Sequence, residues 1–253
     1  MSDANNNDAK IAELAKILTN APKIAFLTGA GISTESGVPD FRSSKGVYSM
    51  TSEEVFSITY FLDDPERFYS FFADFYREMT DAKPNAGHLA IAELETRCGK
   101  DVEVVTQNID GLHSAAGSTK VREIHGTLRF ASCLECAKRY PESSFRDDVR
   151  AGKFPRCTCG GALKPDVVFF GEPLPTTEFN AALRAMREAE ALVVAGTSLQ
   201  VYPAAGLPRA CDAAIPFVVI NQTATPLDSQ SALVFHDPIG EILPKAVAMV
   251  PGV

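Results

Sequence analysis

The stretch Ile24-Ala-Phe-Leu-Thr-Gly-Ala-Gly-Ile-Ser-Thr-Glu-Ser-Gly-Val-Pro-Asp-Phe-Arg42 decides how the chain is read. Residues 24–27 are an apolar run of strand length. Gly29 and Gly31 follow, with Ser33 and Thr34 placed to cap a short helix. A strand that ends in glycines and opens a helix suits phosphate, because backbone N–H groups approach closely and the helix start carries partial positive charge. The turn departs from the ordinary dinucleotide fingerprint. Thr34 stands at its third position, and the chain runs into Pro39-Asp40-Phe41-Arg42 instead of a second strand ending in an acidic residue. A nucleotide site is expected, but not that of a plain dehydrogenase.

Strand-like and helical patterns alternate outward from this turn. Ile11, Leu14, Ala15 and Leu18 recur at helical spacing and predict an amphipathic first helix behind a polar, disordered tail over residues 1–8. Residues 43–59 are polar and irregular and read as a mobile loop. Pro65 opens a helix with Phe68, Phe71, Phe72, Phe75 and Met79 on one face, a stripe that reads as packing within a small helical module. Pro84-Asn85 opens another helix, followed by a strand over 102–106. Further strand-like runs lie at 121–124, 167–170, 192–195 and 217–220. Helical patterns occupy 177–189, 204–211 and 239–249, where Pro244 is expected to be tolerable only in the first turn. This alternation predicts an α/β chain with a mostly parallel sheet covered on both faces, whose ligands sit beyond the C-terminal strand ends. Polar residues follow three strands, at 29–42, 107–113 and 196–198.

Composition narrows the function further. A chain of 253 residues, 45% hydrophobic, can bury a substantial core. Its net charge of -8 argues against a general nucleic-acid binder, which needs clustered Lys and Arg, and reads as solubility. No apolar run reaches membrane-spanning length and residues 1–8 are polar, so a cytoplasmic protein without a membrane partner is expected. A monomer is the default.

Four of the six cysteines fall in Cys133-x-x-Cys136 and Cys157-x-Cys159, with twenty residues between the pairs. Two close pairs flanking a loop are the pattern of a tetrahedral, closed, structural zinc site with four thiolates. Cys98 and Cys211 stand outside it and read as core thiols. Thr106-Gln107-Asn108-Ile109-Asp110-Gly111-Leu112-His113 places amides, a carboxylate and an imidazole after a strand. Such residues grip a ribose and a carboxamide, or satisfy their own backbone as Asx turns. His125 follows the strand over 121–124, between the nucleotide turn and the cysteines, and is a general-base candidate with a pKa near neutrality. His88 and His236 have no comparable setting.

Taken in order, Gly29-Ala-Gly-Ile-Ser33, Ser36-Gly-Val-Pro-Asp-Phe-Arg42, Thr106-Gln-Asn-Ile-Asp110, His125-Gly126, the cysteine pairs, Val167-Val-Phe-Phe-Gly-Glu172, Gly196-Thr-Ser-Leu199 and Ile220-Asn221 resemble the sirtuin pattern across nearly the whole chain. The resemblance implies a Rossmann-like large domain (9–42, 84–128 and 164–253) and a small domain made of a helical module (43–83) and a zinc ribbon (129–163). It implies NAD-dependent protein lysine deacetylation, with NAD in the cleft between the domains and acetylated-lysine proteins or peptides as partners. By the same resemblance, Ala30, Gly31, Thr34 and Arg42 would hold the diphosphate side of the cofactor, and Gly29 and Asp40 also belong to the cofactor site. Thr197, Ser198, Asn221 and Ile239 would hold the adenosine half. Phe41, Ile109 and Asp110 would form the nicotinamide pocket, with Gln107 and Asn108 on the nicotinamide ribose. Val168, Phe169, Gly171 and Glu172, and opposite them Leu199, Val201 and Tyr202, would be the edges between which a substrate peptide adds as a strand.

In the implied chemistry the acyl-lysine carbonyl oxygen displaces nicotinamide and the ribose 2′-OH then attacks the acyl carbon, with His125 as base and Asn108 beside it. Water then opens the intermediate, the products are nicotinamide, O-acetyl-ADP-ribose and free lysine, and zinc takes no chemical part. Two other readings share these residues: a protein ADP-ribosyltransferase and a non-catalytic NAD- or ADP-ribose-sensing module. The family's desuccinylating branch carries a Tyr-x-x-Arg pair in the helical module. Phe72 and Phe75 stand at those positions here, which predicts neutral acyl groups, acetyl first.

Overall fold

The computed structural model describes residues 2–40, 46 and 51–253. Its strands are β1 (Lys23–Thr28), β2 (Asp101–Thr106), β3 (Val121–Glu123), β4 (Gly126–Cys133), β5 (Arg139–Pro141), β6 (Leu163–Val167), β7 (Ala191–Ala195), β8 (Phe217–Ile220) and β9 (Leu233–Phe235). Six of them form a sheet in the order β3-β2-β1-β7-β8-β9, with every pairing parallel. Counted within the sheet this is the doubly wound order 3-2-1-4-5-6, whose switch point lies between β1 and β7.

The apolar runs of these strands are continuous because both faces are covered. In β1, Ile24 and Phe26 pack with the helices Ser2–Asn20, Ala86–Thr96 and Ile239–Ala248. Ala25 and Leu27 pack the other way, against Ala182, Ala185 and Met186 of the helix Thr176–Glu188 and Leu207 of the 3-10 segment Ala204–Ala210. The register decides where the site lies. Thr28 is opposite both Thr106 and Ala195, and Ala195 is opposite Ile220. Gly29, Gln107, Gly196 and Asn221 therefore leave four neighbouring strands at one level.

The other three strands form an antiparallel sheet, β5-β4-β6. It shares a core with the helix Pro65–Asp81, which starts with Asp64 as cap and Pro65 in its first turn. Phe68, Tyr69, Phe72, Phe75, Tyr76 and Met79 are buried against Leu128, Ala131, Leu163, Phe169 and the cysteines 133 and 157. Phe68 stacks on Phe72 at 5.0 Å, and the Tyr69 hydroxyl donates to the Leu163 carbonyl at 2.8 Å. Helical module and cysteine module are thus packed as one body. β4 begins at Gly126 and β6 ends at Val167, so the small sheet extends beyond residues 129–163 at both ends.

Several expectations need correction. The first helix starts at Ser2, not after a disordered tail, since residues 2–8 contain no Gly or Pro to stop it. Within the expected loop over 43–59, Glu53–Phe56 is a 3-10 turn and the helix Ile58–Asp63 begins before Thr59; Phe56 and Phe61 bury there. The rest of that expectation falls largely outside the described residues. The run at 167–170 is not a strand of the parallel sheet. β6 ends at Val167, and the apolar character continues because Phe169 enters the aromatic core. Pro244 lies in the second turn of its helix, where it removes one bond, to the carbonyl of Gly240. β9 and β5, three residues each, were not foreseen, nor were β4 and β6, which flank the cysteine module.

Gly196 has φ +66°, and a Cβ there would lie 2.2 Å from the Ile32 nitrogen. Gly196→Ala is expected to destabilise the fold by about 1–3 kcal/mol, read as a lower urea midpoint. An unchanged midpoint would show that the two loops do not press on each other.

Candidate functional site

A cavity of about 780 Å³ runs along the C-terminal ends of β1, β2, β7 and β8 and under the small sheet. That is within the usual range for a bound small molecule. Gly29, Ala30, Gly31, Thr34 and Asp40 line it from the β1 side, and Gln107, Asn108, Ile109 and Asp110 from the β2 side. Thr197, Ser198, Asn221 and Ile239 close the far end. Phe41 and Arg42 lie outside the described residues. Val168, Phe169, Gly171 and Glu172 form one rim and Val201 and Tyr202 the facing one. Leu199 departs from this pattern: it has φ +55° and its side chain is buried in the core behind β7.

His125 lines the same cavity from the short link between β3 and β4. Its Nδ1 is 3.1 Å from the Gln107 carbonyl, which accepts only, so Nδ1 carries the proton and Nε2 the lone pair in the neutral ring. Burial pushes its pKa below the ordinary value, and the Gln107 hydrogen bond offsets part of that. The ring is a neutral base at physiological pH.

The sulfurs of Cys133, Cys136, Cys157 and Cys159 lie within 4.8 Å of one another. Cys133–Cys159 and Cys136–Cys157 are each 3.5 Å apart, far beyond a disulfide. A tetrahedral zinc thiolate with bonds of about 2.3 Å has sulfur–sulfur edges of about 3.8 Å, so the donor set fits zinc in number, chemistry and size. With four side-chain ligands it would leave no open position for catalysis.

Residues 29–203 match the Sir2 family. This chain belongs to that family. It is 41% identical over 247 residues to an NAD-dependent protein deacetylase of Clostridium perfringens, covering 95% of this chain and 99% of the relative. A solved Sir2 enzyme, studied for mechanism and regulation, superposes with a TM-score of 0.88 at 40% identity, over 96% of this chain and 98% of the other. A Sir2 structure with p53 peptide and NAD+ gives 0.85 at 36% identity, over 94% and 97%. Among the described residues no helix is long and apolar enough to cross a membrane.

Sequence reasoning missed what lies behind the cavity of this Sir2 chain. Ser33 does not cap the 3-10 turn that follows it. Its hydroxyl donates to Asp110 Oδ2 at 2.7 Å and accepts from Asn108 Nδ2 at 3.0 Å. The Asn85 N–H approaches His88 Nδ1 at 3.4 Å, so Nε2 carries the proton and faces the Ser33 oxygen, also at 3.4 Å. His88, dismissed from sequence, thus stands one hydroxyl away from Asn108 and Asp110. His113 packs edge-on to it at 4.8 Å and pairs through Nε2 with the Thr28 hydroxyl at 2.9 Å, while its buried Nδ1 has no partner among the described residues. The signal available was spacing: Asn85 and His88 form a capping box with histidine in the third position. Burial raises the pKa of Asp110 above the usual carboxylate value.

Burial lowers His88 from 6.5 to about 4, and burial plus the His88 charge lowers His113 to about 3. Both rings are neutral in the folded chain and take up a proton on unfolding below 6.5. Their contribution to stability is full above that value and is lost as pH falls toward about 4 and about 3. Asp110, raised by burial, works in the opposite sense at the acid end. The urea midpoint is expected to be lower at about pH 5 than at about pH 7, with a flatter dependence in His88→Gln. The same slope in both proteins would remove His88 from the account.

Proposed function

We propose that this Sir2-family chain is an NAD-dependent protein lysine deacetylase producing nicotinamide, O-acetyl-ADP-ribose and free lysine. The observation that carries this reading is convergence. His125, Asn108 and Asp110 face the same cavity as the glycine turn after β1 and the two facing rims at 168–172 and 200–203. NAD brings the electrophilic ribose carbon and the leaving nicotinamide. The chain's residues bind, orient and deprotonate. Ala30, Gly31 and Thr34 would hold the diphosphate side, together with Arg42, with Gly29 and Asp40 also at the cofactor site, while Thr197, Ser198, Asn221 and Ile239 would hold the adenosine half. Gln107 and Asn108 would contact the nicotinamide ribose, and Ile109, Asp110 and Phe41 the nicotinamide. Val168, Phe169, Gly171 and Glu172, with Val201 and Tyr202 opposite, would take an acetyl-lysine peptide as an added strand; Leu199 would support its rim from the core.

His125 would take the ribose hydroxyl proton on Nε2, since Nδ1 is already committed to Gln107. Cys133, Cys136, Cys157 and Cys159 would hold one structural zinc ion. With NAD and an acetyl-lysine peptide the protein is expected to release nicotinamide and free lysine, and His125→Ala to lose about 10²–10⁴-fold in rate while still binding NAD. The acid limb of the wild-type rate should fall below 6.5, because burial keeps the base neutral to lower pH. NAD binding without nicotinamide release would mark a sensing module instead. ADP-ribose left on protein would mark a transferase.

Phe72, Phe75 and Met79 line the cavity from the helical module, and among the described residues no Lys or Arg lines it. The two tyrosines of that helix turn elsewhere: Tyr69 bonds Leu163 and Tyr76 bonds Glu142. A succinyl carboxylate there would be buried without a partner. A succinyl-peptide is therefore expected to be turned over at least about a hundredfold less efficiently than an acetyl-peptide. Comparable kcat/KM values for the two would refute this.

A further inference from the structure

Lys164 on β6 is a buried cation with no part in the roles assigned above; the residue is 8% exposed. An ammonium is tolerated in such a place only when its three N–H groups find acceptors. Here three are in reach. Nζ lies 3.2 Å from the Pro165 carbonyl, 2.7 Å from the Val167 carbonyl and 2.9 Å from Glu172 Oε2. It also stands over the Phe169 ring, 4.4 Å from the centroid. The same carboxylate oxygen of Glu172 accepts the Phe169 N–H at 2.8 Å. Ammonium and carboxylate together close the segment 167–172 from inside, joining its first carbonyl, a middle amide and its last side chain.

The outside of that segment is tied to both neighbours of the cleft. The Val168 N–H donates to the His125 carbonyl at 2.8 Å, and the Phe170 N–H to the Phe56 carbonyl at 2.9 Å. The Ile58 N–H donates back to the Phe170 carbonyl at 3.0 Å. The rim proposed to receive the peptide is thus set from the catalytic side by His125, from the helical module by Phe56 and Ile58, and from beneath by Lys164. Stability alone does not call for such a pair, since well-packed apolar residues of similar volume replace buried ion pairs at little cost.

We propose that the Lys164–Glu172 pair positions the acyl-lysine peptide, by holding the 168–172 rim in the shape with which a peptide strand pairs. The proposal rests on the deacetylase reading. Lys164 does not line the cavity, so its influence passes through the rim to the peptide and leaves the NAD end untouched.

The test is steady-state kinetics with peptide and NAD varied in turn, plus NAD affinity measured without peptide. It compares wild type, Lys164→Met, Lys164→Arg and the charge-free double variant Lys164→Met/Glu172→Gln. The double variant leaves no uncompensated buried charge and so guards against simple misfolding. Lys164→Met and the double variant are expected to raise the peptide KM at least about tenfold, with kcat and NAD affinity within about twofold of wild type and partial recovery in Lys164→Arg. An unchanged peptide KM in the folded double variant would overturn the proposal. So would an equal loss of NAD affinity, or a loss confined to kcat. A wild-type protein that binds NAD but does not deacetylate overturns the functional reading instead.

Discussion

The Gly31 N–H donates to the Gly196 carbonyl at 2.8 Å, and this contact joins the loops leaving β1 and β7 at the switch point of the sheet. There is no room for a side chain on either partner. A Cβ on Gly31 would lie 2.8 Å from Gly196 Cα, and one on Gly29 2.8 Å from Thr197 Cβ. The two backbones are therefore in direct contact at the switch point, the place where a doubly wound sheet takes its ligand. The level endings of β1, β2, β7 and β8 then bring Gln107, Thr197 and Asn221 to the same cleft.

The two sides of that cleft are built on opposite principles. Behind the turns after β1 and β2, Ser33, Asn108 and Asp110 form a polar cluster backed by His88, with the neutral His113 packed against it, and the cluster fixes its members because each unsatisfied group would be costly. Across the cleft, the helix Pro65–Asp81 offers only rings and a thioether, held by packing. His125 stands between them on the link from the parallel sheet to the antiparallel one. The next residue, Gly126, has φ +82°, and a Cβ on it would lie 2.0 Å from the Asp166 carbonyl. His125 is therefore placed by the close passage of β6, which also carries Lys164 and ends at the rim over 168–172.

Much of the site was legible because its residues follow strands whose apolar runs are plain. Gly29, Gln107, Gly196 and Asn221 all directly follow such a run. The cysteine pairs were legible for another reason: metal geometry imposes close spacing that packing does not. Where reading failed, the cause was competition between local and tertiary demands. Ser33 has the residue type and place of a helix cap, but the tertiary fold brings Asp110 and Asn108 within hydrogen-bond reach, and its hydroxyl serves them. The run at 167–170 has strand composition, yet Lys164 and Glu172 curl it into a rim.

By itself, the sequence determined the alternation of strands and helices, the glycine turn, the four-thiolate set, His125 and the aromatic face of the helical module. These depend on periodicity, backbone permissiveness and spacing, which are properties of short stretches. The tertiary structure alone decided that His88 stands behind Ser33, that Leu199 faces the core, and that a buried Lys164–Glu172 ion pair ties the segment 167–172 together. Each of those joins groups through packing or a low-polarity hydrogen bond, and such an interaction exists only after the chain has brought distant segments together and excluded water from between them.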